Sequence, residues 1–351
     1  MTILLNAALL HILLVGAAPG WTPGHGLQDP AKSPPAADSV SLDQVQNHLA
    51  AGRSDEALAL LERVPPTESN RHLIEHLRGL GFYQKGQYQQ AIEHLRAAGD
   101  APNAAPSQGF QSAHLLGMSH YFLGQFEQAI PFLERYRASG KGEVDTDYVL
   151  GLCYLQTHRV EEARGAFGRM FAVPADSASA HLINAQMMIR QQFEEFAERE
   201  LKRALELDSR LPQARFLLGE LAIYKANIDG GIALLKEEIA INPGFAMAYY
   251  RLGEAFSRQS KWDEAVGPLQ QSIWLNPFFS GPFIVLGKVY LKTGNLANAE
   301  SILRRGLAMD VNNYSGHHLL AQVLQKAGRA DEARQEFQTA ERLRNAGGTG
   351  R

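Results

Sequence analysis

Arg215-Phe216-Leu217-Leu218-Gly219 opens a segment that closes at Ile241-Asn242-Pro243, and Tyr249-Tyr250-Arg251-Leu252-Gly253 opens one that closes at Leu275-Asn276-Pro277. The second segment is the first displaced by 34 residues. Outward from this pair, one position of the pattern stays small along the chain: Val45, Gly79, Gly117, Gly151, Ala185, Gly219, Gly253, Gly287 and Ala321. Twelve places later a second position does the same: Ala57, Ala91, Ala129, Ala163, Ala197, Gly231, Ala265, Ala299 and Ala333. Every step is 34 residues except the 38 from Gly79 to Gly117. Two helices approach closely only where the side chains at their crossing are small and larger ones fill the grooves around it. The larger ones are present: Leu116, Leu150, Leu218, Leu252, Leu286 and Leu320 precede the first small position. Leu61, Leu95, Leu133, Phe167, Leu201, Leu235, Leu269, Leu303 and Phe337 follow the second by one helical turn.

The punctuation between the small positions agrees with two helices per period. Gly52, Gly86, Gly124, Gly294 and Gly328 fall where a first helix, A, must end, and a left-handed backbone ends it cheaply at glycine. Asp-Glu-Ala at Asp55, Asp263 and Asp331 then opens a second helix, B, with acids at the favourable end of its dipole. A helix–turn–helix unit with this period resembles the tetratricopeptide repeat. The resemblance covers about residues 38 to 344 as nine repeats. It implies an all-α, right-handed superhelical solenoid of antiparallel helix pairs, with the A helices lining a concave groove that binds another protein. The carboxylate clamp of chaperone-associated members is not matched, since His76, Leu80 and Leu73 stand where its Lys and Asn would be.

Composition bounds the function. With 34 Lys+Arg against 37 Asp+Glu and a pI near 6.5, the chain has no basic field to attract a phosphate backbone, so nucleic acid is not an expected partner. Cys153 is the only cysteine, so neither a disulfide framework nor a thiolate zinc site can be built, and a buried inert thiol is expected. Residues 1–18 include an apolar run, Ile3 to Ala18, that reads as a signal-peptide core or short membrane anchor, with a cut after Ala17 acceptable. The protein is accordingly expected to be exported, periplasmic or secreted, with membrane contact only through that segment. Residues 19–37, with Pro30, Pro34 and Pro35, have the composition of a flexible tether. Four extra residues fall in Gly99–Gln108, read as a loop between the second and third repeats. Gly230-Gly231 at the start of helix B in repeat six costs about 1 kcal/mol per residue in helix propensity and marks a soft point. In repeat nine, Arg334 and Glu341 replace the apolar outer pairs Ile232/Ile239 and Val266/Ile273, the polar face that a terminal repeat needs. Residues 345–351 are read as a disordered tail.

One motif suggests catalysis. His72-Leu73-Ile74-Glu75-His76 matches the inverted zinc-peptidase pattern, in which two histidines on one helix face bracket a general-base Glu. It opens a helix A in register with the others and has no second domain to supply a third ligand. No phosphate loop or nucleophile–base pair is visible, so no catalysis, metal or cofactor is expected.

The groove remains. The stripe at i, i+4, i+7 beside the small position of each helix A is predicted to face the concavity. It reads His76, Leu80, Tyr83; His114, Met118, Tyr121, Phe122; Tyr148, Leu152, Leu155; and Leu182, Gln186, Arg190. It continues with Phe216, Glu220, Tyr224; Tyr250, Glu254, Arg258; Ile284, Lys288, Lys292; and His318, Gln322, Lys326. The stripe is aromatic and aliphatic first, mixed aromatic and acidic in the middle, and basic at the end. Aromatic and Met anchors dominate interface energy, and a row of lysines suits an acidic run. A protein or peptide partner is expected, apolar toward Tyr121, Tyr148 and Tyr250 and acidic toward Lys292. Self-association through convex or terminal surfaces is the alternative.

Overall fold

The computed structural model describes residues 41–99, 106–141 and 144–348, and all eighteen of its α-helices follow the two-helix period with no strand among those residues. The chain divides into two compact units at Pro277 and Phe278.

The first unit holds seven helix pairs. They are α1 (Leu42–Ala50) with α2 (Ser54–Glu62), α3 (Arg71–Gln84) with α4 (Tyr88–Gly99), α5 (Pro106–Phe122) with α6 (Phe126–Tyr136), and α7 (Val144–Gln156) with α8 (Val160–Met170). Then come α9 (Ala178–Arg190) with α10 (Glu194–Leu207), α11 (Ala214–Tyr224) with α12 (Ile228–Ile241), and α13 (Ala246–Arg258) with α14 (Trp262–Leu275). Helix α1 starts in a capping box: Ser41 Oγ accepts from the Gln44 amide at 3.2 Å, and Gln44 Oε1 accepts from the Ser41 amide at 3.3 Å. Within each pair the two helices pack along their length, and each B helix packs on the next A helix. Helices A also touch one another in α1/α3, α3/α5 and α11/α13, so A helices of successive pairs share one face. The second unit holds α15 (Ser280–Lys292) with α16 (Leu296–Met309) and α17 (Tyr314–Lys326) with α18 (Ala330–Gly348), packed in the same manner.

The small positions do what their spacing predicts. A Cβ on Gly79, Gly117, Gly253 or Gly287 would lie 2.4–2.5 Å from Cγ of the leucine one turn beyond the second small position: Leu95, Leu133, Leu269 or Leu303. On Gly151 it would lie 2.4 Å from Cε1 of Phe167. Those leucines and Phe167 are fully buried, so the large side chain of helix B occupies the space that helix A leaves empty. In repeat six both crossing positions are glycine. A Cβ on Gly231 would meet Ile223 Cγ1 at 2.4 Å and the Gly219 carbonyl at 2.9 Å, so the cost to helix propensity secures a close approach inside an unbroken α12. Gly230 sits under its own cap, Asn227, whose Oδ1 accepts from the Gly230 amide at 3.1 Å.

All five predicted inter-helix glycines have positive φ, between 72° and 81°. At the equivalent turns of repeats four to seven stand His158, Gln192, Ala226 and Ser260, in the same left-handed conformation at φ 59–64°. Two boundaries differ from expectation. Pro106 to Gln108 belong to α5 rather than to a loop, the rest of that stretch from 100 to 105 lying outside the described residues. Helix α18 continues to Gly348, through the start of the expected tail. The expected export segment and tether, 1–37, lie outside the described residues. No helix among those residues is long and apolar enough to cross a membrane. Arg334 and Glu341 are exposed, as a terminal face requires, and Arg334 pairs with Asp331 at 3.0 Å.

Candidate functional site: the shared face of the A helices

The residues predicted for the groove fall into separate groups. In repeats two and three, aromatic rings gather at the A–B turns. Tyr88 and Phe122 stack at 4.8 Å between centroids, Tyr83 packs on both, and Tyr121 lies edge-on to Phe122 at 5.5 Å and to Phe126 at 6.0 Å. Tyr83, Tyr121 and Phe122 are half-buried. Burial pushes the Tyr121 phenol up to about 12 and Tyr83 further. His114 stacks on Tyr136 at 4.4 Å, and burial pushes its imidazole down to about 4 against the opposing pull of Asp145. Tyr148 is half-buried with its ring 6.4 Å from Phe167. Met118 and Phe216 are buried, Phe216 against Phe245 at 5.0 Å, and belong to the core rather than to an open face. Arg190 is exposed at the end of α9.

A second group forms a cleft of about 300 Å³ across repeats five to seven. Helix α11 contributes Leu217, Glu220, Leu221, Ile223 and Tyr224. Helix α13 contributes Arg251, Glu254, Ala255 and Arg258, four of the same positions one repeat later. Ile189 and Glu194 close the other side. Positions at i, i+3, i+4 and i+7 make one helix face. Glu220, Tyr224, Glu254 and Arg258 of the predicted stripe line the cleft, with Leu217 and Arg251 in place of Phe216 and Tyr250 and with Leu221 and Ala255 added.

The charges in the cleft interlock. Arg251 reaches Glu220 at 2.6 Å and Glu254 at 2.9 Å, and Arg258 takes the other Glu254 oxygen at 3.0 Å. Burial pushes the Glu254 carboxyl up, but the hydrogen bonds from Arg251 and Arg258 outweigh it and leave the group below its usual range. For Glu220 burial wins over the attraction of Arg251, and its carboxyl stays above that range. Arg251 also lies 5.4 Å from the Tyr250 ring centroid. Tyr224 is three-quarters exposed at the mouth.

In the second unit Lys288 and Lys292 sit one turn apart on α15, and Lys326 ends α17. Lys288 is half-buried; Lys292 and Lys326 are exposed.

The residues of the peptidase-like motif are held in ordinary packing contacts. Glu75 accepts from Arg78 at 2.8 Å and pairs with His94 at 2.6 Å, while buried His76 bonds Ser112 at 2.8 Å. No three His, Cys, Asp or Glu among the described residues are grouped to hold a metal ion. The Glu75–His94 contact recurs with its partners exchanged at the equivalent places of two other repeats, His181–Glu200 at 3.0 Å and His317–Glu336 at 2.5 Å. It is thus a structural A–B clasp.

Comparison with known families finds three matches. Residues 27–194 match the family described as T7SS, ESX-1 secretion system protein EccA1, N-terminal domain. Residues 216–273 and 284–345 match two families, each described as tetratricopeptide repeat. No curated protein matches the chain. Among solved structures, a crystal structure of MamA is 22% identical over 47% of this chain and 96% of that one, with a TM-score of 0.43. MamA 41-end from Desulfovibrio magneticus RS-1 is 18% identical over 49% and 97%, with a TM-score of 0.45. YrrB, described as a TPR protein with an unusual peptide-binding site, is 17% identical over 52% and 93%, also at 0.45.

Proposed function

We propose, from the premise that this chain is a tetratricopeptide-repeat protein, that it is a non-catalytic scaffold whose A-helix face binds a segment of a partner protein. The observation that carries the reading is the cleft of repeats five to seven. There two successive repeats present the same four positions side by side, with an apolar floor, charged walls and an exposed tyrosine at the rim. A repeat that only needed to cover its core would gain nothing from an ordered row of ionised groups over it, whereas complementary charges select a partner and its register. The aromatic group around Tyr121 and Phe122 and the lysines of α15 and α17 offer further contacts, apolar and acid-seeking respectively.

The setting we propose is an extracytoplasmic assembly, reached through the apolar run Ile3 to Ala18, and the match to the N-terminal domain of a secretion-system protein supports a place beside protein export. Its test is the N-terminus of the mature protein: a start at Ala18 in the extracytoplasmic fraction supports export, and an intact Met1 in the cytoplasm refutes it.

The binding reading is tested by affinity capture with wild type and with a Tyr224→Ala, Arg258→Glu, Lys292→Glu form. All three side chains are exposed, so the fold is spared. A partner retained by wild type and lost from the variant is expected; identical partner sets would move the interaction to another surface. Self-association is the second reading, favoured by Phe278, Val311 and Tyr314, apolar yet exposed in the second unit. A mass in solution that rises with concentration, and no longer does so in Val311→Ser, Tyr314→Ser, would establish it.

A further inference from the structure

The cleft of repeats five to seven carries a finer statement, which rests on the binding reading above. Its ionised groups do not balance: Glu194, Glu220 and Glu254 face two guanidiniums, Arg251 and Arg258. Arg251 and Arg258 are both committed, the first between Glu220 and Glu254 and the second to Glu254. Glu194, half-buried at the start of α10, makes no ion pair among the described residues, and Lys225, which attracts it through space, is itself held by Glu198 at 2.7 Å. One negative charge is therefore left over in a partly desolvated place, where burial, aided by Glu254, holds the Glu220 carboxyl up despite Arg251. A second observation is independent of charge. The Tyr224 ring stands at the mouth, exposed, with no ring or cation against it among the described residues. A third is the floor, where Ile189, Leu217 and Leu221 offer aliphatic surface.

Carboxylates, an aromatic face and an aliphatic floor together are the chemistry that holds a long cationic side chain, whose stem needs apolar cover and whose head needs charge and a π face. We propose that this cleft receives a lysine or arginine side chain of the partner polypeptide, its stem on Leu217 and Leu221, its charge between Glu194 and Glu220, and Tyr224 over it. A volume near 300 Å³ suits one such side chain with its flanking backbone. An acidic side chain would add a fourth negative charge and would have to break the pairs of Arg251. A bare metal ion would find no three donors grouped to hold it. The partner segment is thus basic here.

The test uses the full-length protein and a random dodecapeptide display library, selected on wild type and on Glu194→Gln, Glu220→Gln. On wild type, peptides with a fixed Lys or Arg beside an aliphatic residue are expected. One such peptide, resynthesised with a fluorescent label, should bind about tenfold more weakly to the double variant, as loss of a charge-assisted contact predicts. Replacing its basic residue by norleucine should cost as much on wild type, which keeps the test valid even if the variant folds poorly. Selected peptides that lack a basic position, or that weaken with Tyr121→Ala and not with the Glu substitutions, overturn the cation assignment while leaving groove binding intact. Failure to select any peptide overturns both.

Discussion

At the residue scale the fold is a set of exchanges between glycine and a large neighbour. The ring of Phe167 occupies the place where a Cβ on Gly151 would stand, and it is fully buried and cannot swing away. Gly151→Ala should therefore destabilise the protein by about 1–3 kcal/mol through overpacking, although alanine is the better helix former. Denaturant titration checks it, with an unchanged slope as the sign that only stability moved. The opposite outcome is expected at the A–B turns of repeats four to seven. Gln192 holds a left-handed backbone at φ 63° that costs an L side chain about 1–2 kcal/mol. Gln192→Gly should raise the unfolding midpoint, the gain being reduced by the greater freedom that glycine gives the unfolded chain. The crossing positions were legible because their chemistry is local: apart from Val45 each is Gly or Ala, and they recur with the period. The four strained turns were not, because nothing in His158, Gln192, Ala226 or Ser260 announces a positive φ. Only alignment with the glycine turns of the other repeats would have exposed them.

At the element scale, side-chain clasps across the A–B and B–A contacts supplement the apolar packing. One buried clasp centres on Glu200 of α10, which takes His181 at 3.0 Å and Asn184 at 2.9 Å from α9 and Arg164 at 3.4 Å from α8, joining two repeats. Removing one partner from a buried charged cluster costs about 3–5 kcal/mol because the others are left unpaired. Glu200→Ala should show a loss of that order in thermal or denaturant unfolding. Glu200→Gln, which keeps an acceptor, should lose less. Helix existence and order were readable from the period; which residue of a helix faces outward was less so. The stripe was counted from Phe216 and Tyr250, but Leu217 and Arg251 line the cleft in their place, and Phe216 is buried against Phe245. Aromatic residues are eligible for core and groove alike, and packing alone decides between them. Charged positions have no such ambiguity, and Glu220, Glu254 and Arg258 line the cleft.

At the scale of the whole molecule, buried histidines tie stability to acidity. Burial holds His114 down to about 4, and also lowers His76 and His120. Between pH 6.5 and 4 the unfolded chain binds a proton at His114 that the folded chain refuses, so stability falls as pH drops through that window. The loss from His114 alone is of the order of 3 kcal/mol. His114→Phe, which keeps a ring against Tyr136, should flatten the dependence measured by melting at pH 7 and pH 5. The helix-pair architecture of the described residues was legible throughout, since repetition reports the same fact many times. The A-helix face was legible only as a change of character, aromatic to acidic to basic, because what such a face would bind is not written in the period.

The left-handed turns at His158, Gln192, Ala226 and Ser260 follow one another through repeats four to seven, and glycine serves in the repeats on either side. The cleft of repeats five to seven lies within that stretch. Amide protons there should exchange with solvent sooner than those of the flanking repeats, because each turn begins with part of its opening energy already spent. These four residues put local compliance beside the cleft of repeats five to seven, where the proposed partner segment would enter.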